Sequence, residues 1–232
     1  MKVKLVSYSK PSDQFKSETG MESLEELVAY CARVSNPSNQ LNSNATKLIQ
    51  YLVNNKHWSP LEMVSLTLEI ETTRDIARQI LRHRSFSFQE FSQRYADPTK
   101  ELNFEIREAR LQDLKNRQNS IETNDTGLAL LWKIHQEELI EQSKQSYAWA
   151  IKHGIAKEQA RAVLPEGLTQ SRMYMSGTLR SWVHYIHLRS ANGTQKEHME
   201  IARSCGDVIS EVFPLMNDLL GVLDIPTVYP VK

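Results

Sequence analysis

Residues 64–71 constrain the fold most. Val64, Leu66, Leu68 and Ile70 alternate with Ser65, Thr67, Glu69 and Glu71. Successive strand side chains point to opposite faces, so this is a strand with one face buried and the other solvated. The period then changes. Ile76, Ala77, Ile80 and Leu81 form an apolar stripe on a helix predicted over 73–83, while Arg78, Gln79, Arg82 and His83 lie three to four residues apart on another face. Gln79 and Arg82 are thereby predicted to reach one ligand together. Burying both without partners would cost several kcal/mol, so a ligand or an interface is their natural counterpart.

Other elements follow from the same periodicities. Val3, Leu5 and Ser7 alternate with Lys2, Lys4 and Val6 as a first strand. Met21, Leu24, Leu27, Val28, Cys31 and Val34 predict a helix over 22–34, ended by Asn36-Pro37-Ser38; Ala45, Leu48, Ile49, Leu52 and Val53 predict a second over 42–56. Residues 98–126 are polar and turn-rich, with weak strand character at Asn103–Arg107. A long helix is predicted over 127–153, stopped by Gly154, with Leu128, Leu131, Trp132, His135, Leu139, Tyr147, Ala150 and Ile151 on its buried side. His135 there reads as a hydrogen-bonded core histidine. A short helix Lys157–Leu164 ends at Pro165, Thr169–Ser176 is a strand ending at Gly177, and Thr178 caps a helix through Arg189. A last helix over 195–220, interrupted by Pro214, buries Cys205, and Asp224–Lys232 is irregular.

With 232 residues, 40 % of them hydrophobic, the chain is long enough for one core, and residues 1–232 are taken as a single domain. No apolar run is long enough to cross a bilayer, and Met1–Tyr8 lacks the pattern of a signal peptide. Cys31 and Cys205 make no disulfide framework and have no metal-ligand spacing. A cytoplasmic location with reduced thiols follows as the expectation. His184 and His187 are spaced for a metal but find no third ligand in phase, so no metal is expected.

Residues 82–95 carry the chemistry: Arg-His-Arg-Ser-Phe-Ser-Phe-Gln-Glu-Phe-Ser-Gln-Arg-Tyr. Guanidinium groups match phosphate and carboxylate oxygens in a planar fork, hydroxyls complete an anion cradle, and rings stack on flat ligands. An anionic, planar ligand fits this stretch, and a nucleotide is one. The plainer alternatives are a solvated charged turn or a patch for a nucleic-acid polymer. A general nucleic-acid binder is expected to be basic, whereas this chain has 28 Lys+Arg against 28 Asp+Glu.

Arg82-His83-Arg84-x-x-Ser87, continued by Glu90-x-Ser92-x-Arg94-Tyr95, resembles the signature of flavin-dependent thymidylate synthases. The residue before Glu90 is often Asn in that family and is Gln89 here. Further likeness lies in Tyr30–Ser35, His57-Trp58-Ser59-Pro60-Leu61-Glu62, Ala160–Pro165, Thr178–Arg189 and Gln195-x-Glu197. By the residues alone, Pro60 simply punctuates a helix and a strand, and Arg161 is a solvated or salt-bridged arginine. The resemblance implies an α+β domain with a central, mostly antiparallel sheet flanked by long helices, assembled as a homotetramer with active sites at subunit interfaces. It implies reductive methylation of dUMP to dTMP, with 5,10-methylenetetrahydrofolate as carbon donor, NADPH as reductant and FAD as hydride carrier. No nucleic-acid polymer and no membrane is a partner. The alternative from another class is a non-catalytic nucleotide- or RNA-binding protein that uses the same cradle.

The resemblance also places residues. Ser59, Arg82, His83, Arg84, Glu90, Thr178, Leu179, Arg180 and His184 fall at FAD. Gln79, Arg82, Glu90, Ser92, Gln93, Arg94, Arg161 and Arg189 fall at dUMP, with Arg189 as the catalytic group at the uracil. Arg180 and His184 are one helical turn apart, whereas Arg189 points elsewhere, which suits two parts of a site. Both cysteines read as core residues, so a thiolate mechanism is not expected.

Overall fold

The structure, a computed structural model, describes residues 1–222, so the tail Asp224–Lys232 lies outside the described residues. The chain opens with β1 (Lys2–Tyr8), α1 (Asp13–Thr19), α2 (Leu24–Ala32) and α3 (Thr46–Asn54). Nothing in the hydrophobic periodicity announces α1, because it buries no residue. It is defined by its ends: the Ser12 hydroxyl accepts from the Phe15 N–H, and Gly20 at φ 70° closes it. α2 starts at a capping box in which the Ser23 hydroxyl accepts from the Glu26 N–H and the Glu26 carboxylate accepts from the Ser23 N–H.

A 3-10 turn over Ser59–Met63 leads into β2 (Ser65–Thr73), α4 (Arg74–Ile80), β3 (Ser87–Glu90) and α5 (Pro98–Glu101). The hairpin β4 (Arg110–Gln112) and β5 (Ser120–Glu122) is followed by α6 (Thr126–Lys152), α7 (Lys157–Ala160), β6 (Gln170–Thr178), α8 (Leu179–Ser190), α9 (Lys196–Ser210) and α10 (Met216–Val222). The expected α+β architecture is present. Four strands in the order β1-β2-β6-β3 pair antiparallel throughout.

Register puts the apolar sides together. Leu5 faces Leu68 and Met175, Val3 faces Ile70 and Met173, and Phe88 continues the row beyond Met175. Trp182, Val183 and Ile186 of α8 and Ile201, Cys205 and Ile209 of α9 belong to the same buried cluster. A smaller cluster of Tyr147, Ala150, Ala160 and Leu164 joins α6 to the chain after it. Among the described residues no helix is long and apolar enough to cross a membrane.

Several sequence expectations need correction. The helix expected over 73–83 ends at Ile80, which leaves Arg82 and His83 in a turn, and the next residues form β3. The last helix is two, α9 and α10, parted around Pro214. The polar stretch 98–126 holds the β4–β5 hairpin, while Asn103–Arg107 contributes only an isolated bridge from Phe104 to Thr169. Cys31 is half-buried, not core. α6 buries Gln136, Ile140, Ser143, Tyr147 and Ala150, leaving Leu128, Leu131, Trp132 and Leu139 exposed. His135 is therefore no core residue: its side chain is 72 % exposed, 3.8 Å from Glu138. The C-terminal half of α6 meets the second cluster and Gln136 exchanges hydrogen bonds with the Arg107 backbone. Trp132 and Leu139 line an open cavity with Arg107 and Leu168, so the apolar stripe is only partly covered in the protomer.

Candidate functional site

One ring anchors the turn that opens the 82–95 stretch. Phe86 lies at 9 % exposure against Trp182 and Tyr185, ring centroids 4.8 and 5.9 Å away. It fits because position 177 is glycine: a Cβ there would stand 2.4 Å from Phe86 Cδ1. With Phe86 anchored inward, Arg82, Arg84, Ser85 and Ser87 are turned to solvent. Arg82 and Arg84 have no acidic partner among the described residues.

Arg189 and His83 meet beside this turn. Arg189 Nε donates to His83 Nε2 at 2.8 Å. An arginine only donates, so His83 is neutral, with its proton on Nδ1. Burial, then the charges of Arg189 and Arg82, push the imidazole down to about 4. Arg82 and Arg84 are thus the two cations of Arg82-His83-Arg84. Both Nη groups of Arg189 have no protein partner among the described residues.

Behind His83 lies a buried polar chain. The His83 ring packs edge-on to Tyr185 at 4.9 Å. The Tyr185 hydroxyl is 3.2 Å from His198 Nε2, and His198 Nδ1 is 3.2 Å from Gln79 Oε1. Gln79 Nε2 donates to Gln195 Oε1, Gln195 Nε2 donates to Glu197, and Glu197 pairs with Arg107 and Arg110. Gln79 therefore faces this chain while Arg82 faces solvent, so the two are not side by side on a helix face as expected.

At the other end of α8, Arg180 is paired with Glu62. His184 sits edge-on to Trp58 at 4.6 Å, and burial first, then Arg180, lowers its basicity. Ser59 opens the 3-10 turn that carries Glu62. Thr178 caps α8, its hydroxyl accepting from the Ser181 N–H. The Leu179 side chain is fully buried and its N–H donates to the Val64 carbonyl, while its carbonyl opens the hydrogen-bond ladder of α8.

A separate cluster follows β3. Glu90 sits in register with Met173, accepts from the Ser171 hydroxyl at 2.7 Å and pairs with Arg74 at 3.5 Å. Arg94 pairs with Glu158 at 3.4 Å, and Arg161 Nε donates to the Glu158 carbonyl at 3.3 Å. The Ser92 hydroxyl accepts weakly from the Arg94 N–H at 3.4 Å. Gln93 is 4 % exposed, and its Nε2 has no partner among the described residues. No hydrogen bond or ion pair among the described residues joins this cluster to Arg189 and His83.

A family model described as thymidylate synthase complementing protein matches residues 18–215. The chain is 48 % identical over 215 residues to a probable flavin-dependent thymidylate synthase of Paramecium bursaria Chlorella virus 1, covering 92 % of this chain and 96 % of that one. It is 50 % identical over 214 residues to the flavin-dependent thymidylate synthase of Synechocystis sp., with the same coverage. The chain belongs to the flavin-dependent thymidylate synthase family. The fold of this family member is also that of the UMP/dUMP methylase PolB from Streptomyces cacaoi bound with 5-Br UMP: TM-score 0.76 at 23 % identity, covering 98 % and 96 % of the two chains.

Three residues of the site in this flavin-dependent thymidylate synthase family member escape sequence reasoning: His198, Tyr185 and Arg107. His198 is in phase with Ile201, Ala202, Cys205 and Ile209, and a histidine on a core stripe is the one signal that points to it. Arg107 lies in a polar stretch without periodicity and gives none.

Proposed function

We propose that the chain catalyses reductive methylation of dUMP to dTMP, taking its carbon from 5,10-methylenetetrahydrofolate. Bound FAD, reduced by NADPH, supplies the hydride that completes the methyl group. The observation that carries this proposal is the Arg189–His83 pair beside Arg82, with the side chains of Arg82 and Arg84 and the Arg189 Nη groups left without a protein partner among the described residues.

Arg82 and Arg84 offer a polyanionic cofactor positive charge that no carboxylate among the described residues neutralises. Arg180, already paired with Glu62, exchanges or shares that partner when ligand binds. Thr178, Ser59 and His184 complete the donors around the flavin, and Leu179 anchors the start of α8 beneath them. Arg189 holds charge on the N3–O4 side of uracil as C5 becomes nucleophilic, since a guanidinium keeps its proton and a preorganised donor acts strongly in a dry site. Ser92, Gln93, Arg94 and Arg161 hold the nucleotide and its phosphate, and the buried Gln93 Nε2, without a partner among the described residues, fits a site whose acceptor comes from outside the protomer.

Among the described residues no hydrogen bond or ion pair joins the Arg94–Arg161 cluster to the Arg189–His83 pair, which supports a site completed between subunits. The exposed apolar stripe of α6 supports the same reading, and a cytoplasmic homotetramer is the assembly proposed. A non-catalytic nucleotide- or RNA-binding role is not favoured, since it leaves the ordered pair Arg189–His83 without a task.

Purified protein is expected to be yellow and to lose flavin absorbance on adding NADPH without oxygen. It is expected to recover that absorbance, with dTMP formed, when dUMP and methylenetetrahydrofolate follow. Colourless protein that binds no added FAD would refute the proposal.

A further inference from the structure

Tyr185 and Arg189 stand one turn apart on α8 and so share a face, and His83 touches both. The His83 backbone is fixed on either side of the ring: its N–H donates to the Ile80 carbonyl at 3.0 Å, and its carbonyl accepts from the Phe86 N–H at 3.3 Å. The ring stands at 88° to Tyr185, centroids 4.9 Å apart, and its Nε2 takes the Arg189 Nε–H at 2.8 Å. Tyr185 is a firm backing. It is 1 % exposed, packed against Phe86 and Trp182, with its hydroxyl 3.2 Å from His198 Nε2.

The kind of acceptor matters as much as its place. A carboxylate beside Arg189 would take two N–H groups at once and cancel the guanidinium charge. A neutral imidazole takes one N–H and carries no charge, so it fixes the guanidinium plane and leaves the positive charge whole. Among the described residues no ion pair involves Arg189. We infer that His83 is a positioning residue for the chemical step, one that aims the Arg189 fork without discharging it. Resting on the role proposed above for Arg189 at the uracil, this gives His83 a task on the nucleotide side, with its Nε2 spent on the arginine. Burial, then the charges of Arg189 and Arg82, which lower the ring to about 4, accord with an imidazole that stays neutral near pH 7.

Single-turnover dTMP formation at saturating dUMP and folate, scaled to bound flavin, tests this in variants checked for folding by thermal melting. His83→Gln puts an acceptor oxygen near the place of Nε2 and is expected to stay within about threefold of wild type. His83→Glu has the same shape but neutralises Arg189, and is expected to run at least about tenfold slower than His83→Gln. His83→Leu leaves the Arg189 Nε–H without its acceptor and is expected to lose at least about tenfold, with little change in dUMP affinity. In an Arg189→Ala background the same leucine is expected to cost less than about twofold more, because His83 acts through that arginine. Equal losses in both backgrounds, a glutamine variant as slow as leucine, or a glutamate variant as fast as glutamine overturn the inference while the dUMP reading stands. Should the variants fail to fold, nitrogen-15 NMR of unaltered holoenzyme at pH 7 decides. His83 neutral with its proton on Nδ1, beside an Arg189 Nε–H slow to exchange with solvent, is the expected result, and a protonated ring or the Nε2–H form overturns the inference. Wild type that forms no dTMP sinks the function proposed above and this role with it.

Discussion

With Nε committed to the neutral His83, the Arg189 guanidinium keeps its two Nη groups as a planar fork whose orientation is set before a ligand arrives. Charge placed this way acts on the transition state more than on the ground state. Arg189→Ala is expected to retain FAD and to be reduced by NADPH, yet to form dTMP about a hundredfold or more slowly in single turnover at saturating dUMP and folate. Arg189→Lys is also expected to be poor, because one ammonium cannot both satisfy His83 and offer a fork. Flavin reoxidation at the wild-type rate in Arg189→Ala would reduce Arg189 to a binding residue. The cysteines offer no competing nucleophile. Burial raises both thiols above their ordinary range, and Cys205 is wholly enclosed.

At the scale of elements, the turn between α4 and β3 depends on how closely β6 lets Phe86 approach. Phe86 Cδ1 and Cε1 lie 2.4 and 2.7 Å from the place of a Cβ on Gly177, closer than carbon atoms tolerate. Gly177→Ala therefore forces the ring away from Trp182 and Tyr185, and the turn bearing Arg82 and Arg84 moves with it. An overpacked core contact of this kind costs about 1–3 kcal/mol, which a lowered melting temperature measures. Flavin retention is expected to fall in parallel. Phe86→Leu, combined with Gly177→Ala, is expected to relieve part of the strain, so the two effects are less than additive. Strictly additive losses would mean that the glycine matters for another reason.

For the whole molecule, the decisive feature is the partly covered apolar stripe of α6. Leu128, Leu131, Trp132 and Leu139 are 41 %, 58 %, 44 % and 45 % exposed along a 27-residue helix that is held to the protomer at Gln136 and through its C-terminal half. A row of large apolar side chains on a protomer marks an interface, and the proposed homotetramer would cover it. Leu131→Glu with Leu139→Glu is expected to yield a smaller species by sedimentation velocity, with reduced FAD content and a melting temperature that no longer rises with protein concentration. A variant that sediments as wild type with full flavin would place the interface elsewhere.

The alternation of 64–71, the apolar stripes of α2, α3 and α9, and the signature at 82–95 were all legible in the residues, because period and side-chain chemistry are local properties. The family, and with it the antiparallel sheet, followed from motifs in fixed order. Other features arise only from tertiary contact. Residues 87–90 form a strand because β6 supplies hydrogen-bonding partners, and α4 stops at Ile80 because Phe86 must turn into the core. His135 shows the limit of periodicity: an apolar stripe tells which side of a helix seeks cover, and not whether the protomer provides it. The neutral state of His83, the direction of the Tyr185–His198–Gln79–Gln195–Glu197 chain and the free fork of Arg189 depend on which donor meets which acceptor across residues far apart in sequence, and folding alone decides that.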